Sequence, residues 1–201
     1  KNATLLQWIL IPLLGIVSCT VLNNLIGISG ISELFPGFSE LAELLYVGNL
    51  FLEVLTMAIV APLVEEIVFR GLAYRRMKRY TRPWIAAIIS ALLFGLYHMN
   101  VVQGVYAFFL GLLLIVVYEK FKSLWAPILF HAAANMFSIF LSEIVYGSEV
   151  TTESTGIDVT ILIITLVLAV IMTLLLYVVF QIKLPVKEVI MPDRLSEQAE
   201  V

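Results

Sequence analysis

One cysteine, Cys19, is all this sequence contains, so no internal disulfide and no cysteine-based metal cluster can form within it. Charge is scarce as well: 13% of the residues are charged, where a soluble domain carries about a quarter. Basic tracts interleaved with aromatics are missing outside one short loop, which leaves nucleic-acid binding without support. Internal repeats, low-complexity stretches, an HExxH motif and any pair of histidines on one helix turn are also missing. What fills the chain instead is apolar. Hydrophobic residues make up 61% of it and the mean hydropathy is strongly positive, a composition that argues against a water-soluble fold. The net charge of −3 says little about partners, because in a membrane the side on which charges lie matters more than their sum.

A spanning helix needs roughly 20 mostly apolar residues. Such runs fall near 4–28, 45–74, 84–101, 103–119, 124–145 and 157–180. They are long and unalternating in Leu, Ile, Val and Ala, which predicts helices rather than barrel strands. The expected fold is therefore an all-α, polytopic transmembrane bundle of about six spans. It forms a single membrane-embedded domain over 1–201, with 181–201 as a tail. Ile16-Val17-Ser18 before Cys19 has the form of a bacterial lipoprotein cleavage box with Lys1 as a minimal basic region, but a plain first span explains the same run.

Loop charges test this partition. With six spans and both ends on one side, every Lys and Arg falls on that side: Lys1; Arg70, Arg75, Arg76, Lys78, Arg79 and Arg82; Lys120 and Lys122; Lys183, Lys187 and Arg194. The opposite loops hold Glu33, Glu40, Glu43, Glu143, Glu149, Glu153 and Asp158, and no basic residue. The positive-inside rule makes the basic side, with both termini, cytoplasmic. A multi-pass integral membrane location follows, the plasma membrane in a prokaryote.

Ionisable and paired polar groups inside such helices are costly and point to function. Four clusters stand out: Glu65-Glu66 with Arg70, Phe94 with His98, Asn100 with Gln103, and His131 with Asn135. Residues four apart share a helix face, so Glu66 can pair with Arg70, while Glu65 points about 100° away toward a different neighbour. His131 and Asn135 share another face. Measured from the basic loops at ~1.5 Å per residue, Glu65 lies about 15 Å deep, His98 about 20 Å, His131 about 10 Å and Asn135 about 15 Å. Within a layer of roughly 30 Å these depths nearly coincide, whereas Glu53, at roughly 30 Å, reaches the far interface. A lone histidine at such a depth is more often an interhelical hydrogen bond. Glu66–Arg70 reads as structural, and Asn100 and Gln103 as partners for backbone at a tight turn. Glu65, His98, His131 and Asn135 together are too much polarity to bury without a water-filled cavity to serve.

These residues resemble a known family. Ala61-Pro62-Leu63-Val64-Glu65-Glu66-Ile67-Val68-Phe69-Arg70-Gly71 is similar to the EExxxR motif of the CAAX protease and bacteriocin-processing (Abi) family, which includes the type II CAAX prenyl endopeptidases. Phe94-Gly95-Leu96-Tyr97-His98, followed by Asn100, resembles its FxxxH motif, and His131-Ala132-Ala133-Ala134-Asn135 its HxxxN motif. The resemblance covers about residues 60–140, and no core motif position departs from it. Family members often carry more than six spans. The resemblance implies an intramembrane endopeptidase in which Glu65 is the general base on a water held with His98. His131 and Asn135 would donate to the oxyanion, and Glu66, Arg70 and Asn100 would support the site. It implies a peptide or membrane-protein substrate, such as a prenylated C-terminal tail or a leader peptide. No cofactor is favoured; zinc on Glu65, His98 and His131, with an open fourth position, is the alternative. The competing functions are a non-proteolytic membrane partner, such as an immunity or scaffold protein, and a proton-relay transporter. The missing repeats speak against the transporter.

Overall fold

The computed structural model describes residues 4–35, 49–147 and 159–181, and the regular elements among the described residues are all helical. That is the expected outcome for an apolar chain in lipid, where each backbone group must find its partner within its own segment. Helix α1, Leu5–Ser29, starts at a capping box in which Thr4 and Gln7 bond reciprocally, and it ends at Gly30 with φ 68. A short turn, Ile31–Leu34, follows. Helix α2 runs through 50–77 and is not uniform: π-helical stretches at Val54–Val60 and Ile67–Tyr74 flank an α-helical turn at Ala61–Glu66. Helix α3 is Pro83–Tyr97, α4 Val101–Phe121, α5 Trp125–Gly147 and α6 Val159–Gln181.

Among the described residues, four helices are long and apolar enough to cross a membrane: Leu5–Ser29, Val101–Phe121, Trp125–Ile144 and Val159–Gln181. Helix length does not confirm the other two expected spans. Helix α3 has 15 residues and reaches about 22 Å, less than the roughly 30 Å of a hydrocarbon core. The expected span at 45–74 is broken in helical type by its π segments, where the sequence predicts a plain α-helix. The outer-loop acids Glu40, Glu43, Glu149, Glu153 and Asp158, and the basic residues Lys1, Lys183, Lys187 and Arg194, lie outside the described residues.

The loops between α2 and α3 and between α4 and α5 do lie at one end of the bundle. Lys78 and Lys122 both pair with Glu119, and Lys120 donates to the Phe180 carbonyl at the end of α6. Trp84 and Trp125 are exposed in these same loops' flanks, where amphipathic rings settle at a headgroup interface.

Helix α1 packs along α5 and α6, α4 packs on α3, and α5 bridges α1 to α2. The largest core cluster joins Ile11 and Leu14 of α1, Phe94 of α3, Leu110 and Leu114 of α4, and Phe130 of α5. Two crossings depend on glycine. A Cβ on Gly15 would stand 2.3 Å from the Phe130 carbonyl oxygen, and one on Gly95 would stand 2.6 Å from that of Gly104. Gly15→Ala is therefore expected to force α1 off α5 and destabilise the protein by about 1–3 kcal/mol, the usual size of overpacking. Thermal unfolding in detergent measures it; an unchanged midpoint would mean that the two helices separate without cost.

Candidate active site

A cavity of about 460 Å³ opens among α1, α2, α3, α4 and α5, and Glu65, His98, His131 and Asn135 all line it. The sequence puts these residues at similar depth; the helix packing puts them around one space. Each is set in place by a local feature.

Glu65 and Glu66 sit at the end of the α-helical turn Ala61–Glu66, and their side chains part as adjacent helical residues must. Glu65 faces the cavity. Glu66 is fully buried and bonds Arg70 at 2.8 Å, and Arg70, also fully buried, reaches on to the Gly111 carbonyl of α4 at 3.2 Å. The expected structural pair is present, but it has a third member. Glu66 Oε1 also lies 3.0 Å from His131 Nδ1, a contact between residues 65 positions apart that neither spacing nor motif signals.

That contact bears on the tautomer of His131. A carboxylate paired with arginine only accepts, so Nδ1 carries a proton. Nε2, on the other side of the ring, lies 3.7 Å from Glu65 Oε2. His131 can then donate from Nε2 only as the imidazolium.

His98 caps the end of α3 rather than standing inside a long span. Its Nδ1 is 2.9 Å from the Phe94 carbonyl, which can only accept, so in the neutral ring Nε2 is the acceptor. The chain then turns sharply. Met99 takes a positive φ of 57, a strained conformation for a residue with a Cβ. Asn100 Oδ1 accepts from the backbone N–H groups of Val102 and Gln103 at 2.9 and 3.2 Å. Asn100 is thus the N-cap of α4 and does not line the cavity, while Gln103, one turn on, does.

Phe94, the first residue of its motif, is a packing hub. Its ring meets His98 edge-on at 5.0 Å and His131 at 5.7 Å, and the Arg70 guanidinium stacks 4.5 Å from its centroid. Such contacts fix ring orientation and favour the cation. Asn135 donates from Nδ2 to the Met57 carbonyl in the first π segment at 2.8 Å. An amide nitrogen has two protons, so the second remains for a ligand in the cavity. On the other π segment, Ser90 donates to the Phe69 carbonyl at 2.9 Å. These carbonyl partners were not legible in the sequence, since any residue supplies a carbonyl.

Among the described residues, no group of three or more His, Cys, Asp or Glu side chains is placed to hold one metal ion.

Comparison with known proteins agrees with the motifs. Residues 47–137 match the family model described as Rce1-like, type II CAAX prenyl endopeptidase Rce1-like. A Bacillus subtilis (strain 168) protein named "Putative membrane peptidase YdiL" is 28% identical over 90 residues, covering 45% of this chain and 37% of that protein. The chain thus spans little more than a third of that relative's length. No solved structure gives a significant match. With its apolar helices and this family match, the chain is an integral membrane protein.

Proposed function

We propose that this protein is an intramembrane endopeptidase that hydrolyses a peptide bond with a glutamate-activated water. The observation that carries this reading is the cavity on which Glu65, His98, His131 and Asn135 converge; the Rce1-like match over the same residues supports it. Glu65 takes a proton from water, and His98 Nε2, free of the backbone, holds that water by accepting its other hydrogen. The water oxygen bonds to the scissile carbonyl carbon. The oxyanion that forms is met by His131 Nε2–H, available on the imidazolium, and by the second Nδ2–H of Asn135. As the carbon–nitrogen bond breaks, Glu65 returns its proton to the departing amine. Glu66 and Arg70 keep the α2 turn in register. Comparing membranes that carry wild type and Glu65→Ala, by peptide mass spectrometry, tests the activity: products present only with wild type are expected.

Substrates are peptides or membrane-protein segments that reach the cavity through the bilayer, with a prenylated tail or a leader peptide as candidate forms. The single domain over 1–201 and the six-span arrangement with its basic end in the cytoplasm belong to the same proposal. Cysteines placed at Ser39 and Ser148 are expected to label from outside intact cells; labelling only after permeabilisation would reverse the orientation.

Catalysis is proposed to be metal-free. Glu66 Oε1 is already committed to Arg70 and His131, and Asn135, beside His131, suits hydrogen-bond donation better than zinc ligation. Chelator-washed protein is expected to keep its full activity. Stoichiometric zinc whose removal and return track activity would sink the metal-free mechanism while leaving the same residues at the centre.

A further inference from the structure

Asn135 finds a carbonyl to bond because the helix opposite has left one open, and the residue responsible is Pro62. The first π segment closes with the Ala61 N–H bonded to the Thr56 carbonyl, five residues back. The next bond in that register would run from residue 62 to the Met57 carbonyl, but proline has no N–H. The α-helical alternative donor to Met57 would be Ala61, whose N–H is already directed to Thr56. The Met57 carbonyl is thus left inside a continuous helix without its backbone partner, a costly state in an apolar surrounding. Asn135 Nδ2 reaches across from α5 and satisfies it at 2.8 Å. Both Met57 and Asn135 line the cavity with Glu65.

We propose that Pro62 is a positioning residue: by withholding an N–H it assigns the Met57 carbonyl to Asn135 and so orients the Asn135 amide. A carbonyl partner admits only the nitrogen side of the amide. One Nδ2 proton is therefore spent on the backbone, and the other is held toward the cavity. The consequence for catalysis rests on the function proposed above; the anchor itself does not. The second π segment is also tied across, with Ser90 of α3 on the Phe69 carbonyl, so side chains bonded to backbone carbonyls hold the turn bearing Glu65 from both flanks.

The test uses full-length protein in detergent, with asparagine labelled by nitrogen-15. In the wild type, one Asn135 side-chain proton is expected to exchange with solvent roughly tenfold more slowly than the other, as one hydrogen bond would cause. In Pro62→Ala the restored N–H can take the Met57 carbonyl, and the difference should vanish with helicity unchanged. In parallel, Asn135→Ala should lower the thermal midpoint in the wild-type background and lower it much less in the Pro62→Ala background. Pro62→Gly, which also restores the N–H, carries the same expectations should Pro62→Ala fail to fold. Equal midpoint losses in both backgrounds, or an Asn135 amide indifferent to residue 62, would overturn the proposal. Neither readout involves proteolysis, so a chain that cleaves nothing would defeat the functional reading and leave this anchor standing.

Discussion

Glu65→Gln is expected to abolish cleavage while the protein stays folded in detergent. The substitution keeps the size of the side chain and its place on the cavity wall, and removes only the group able to take a proton from water. The neighbouring His131 Nε2, at 3.7 Å, loses this contact, but the ring keeps Glu66, so the buried cluster holds together. His98→Ala and His131→Ala should also abolish cleavage, the first by releasing the water and the second by removing an oxyanion donor. Asn135→Ala should lose roughly 10²–10³ in rate, the usual size for one such donor. The measurement is product formation per folded protein, with folding judged by gel filtration and helicity. If Glu66→Gln were folded and inactive while Glu65→Gln kept its activity, the two glutamates would exchange roles.

The second large effect concerns stability. Arg70→Ala removes the partner of a fully buried carboxylate, and breaking a buried pair by deleting one member typically costs about 3–5 kcal/mol. Here more is lost than one bond. Arg70 also joins α2 to α4 through the Gly111 carbonyl and stacks on Phe94, so its removal leaves Glu66 and two packing surfaces uncompensated. Low yield of folded protein and a much lower thermal midpoint are expected, whatever the activity of the fraction that survives. Glu66→Gln should be milder, because the amide oxygen can still accept from Arg70 or from His131. A folded, thermally normal Arg70→Ala would show that the pair contributes nothing to holding α2 against α4.

How far the site could be read in advance is clear residue by residue. Glu66 and Arg70 stand four apart, and a helix alone brings them together; the ion pair follows from sequence. The split between Glu65 and Glu66 follows from helical geometry in the same way. Asn100 was legible as a polar partner for the turn before α4, because an asparagine ahead of an apolar run is a natural N-cap. His131 as the bridge between the two glutamates was not. Nor was Asn135 on Met57, which requires a π-helical register ending at a proline.

The sequence by itself determined that the chain is apolar, helical and membrane-embedded, where its polar residues lie along each helix, and which of them share a face. Those are consequences of composition and of one repeating geometry, and both act locally. Tertiary structure alone decided the rest. Gly15, Gly95 and Gly104 let helix backbones approach closely. Helix α3 proved too short to be judged a span by length. The α2 helix departs from α-helical register on both sides of its glutamates, and its carbonyls accept from Asn135 and Ser90 there. Which helix stands next to which depends on the fit of whole surfaces, summed over many weak contacts in a solvent as apolar as the side chains themselves. No spacing within a single helix encodes that sum, and only the assembled bundle turns four polar residues at similar depth into one site.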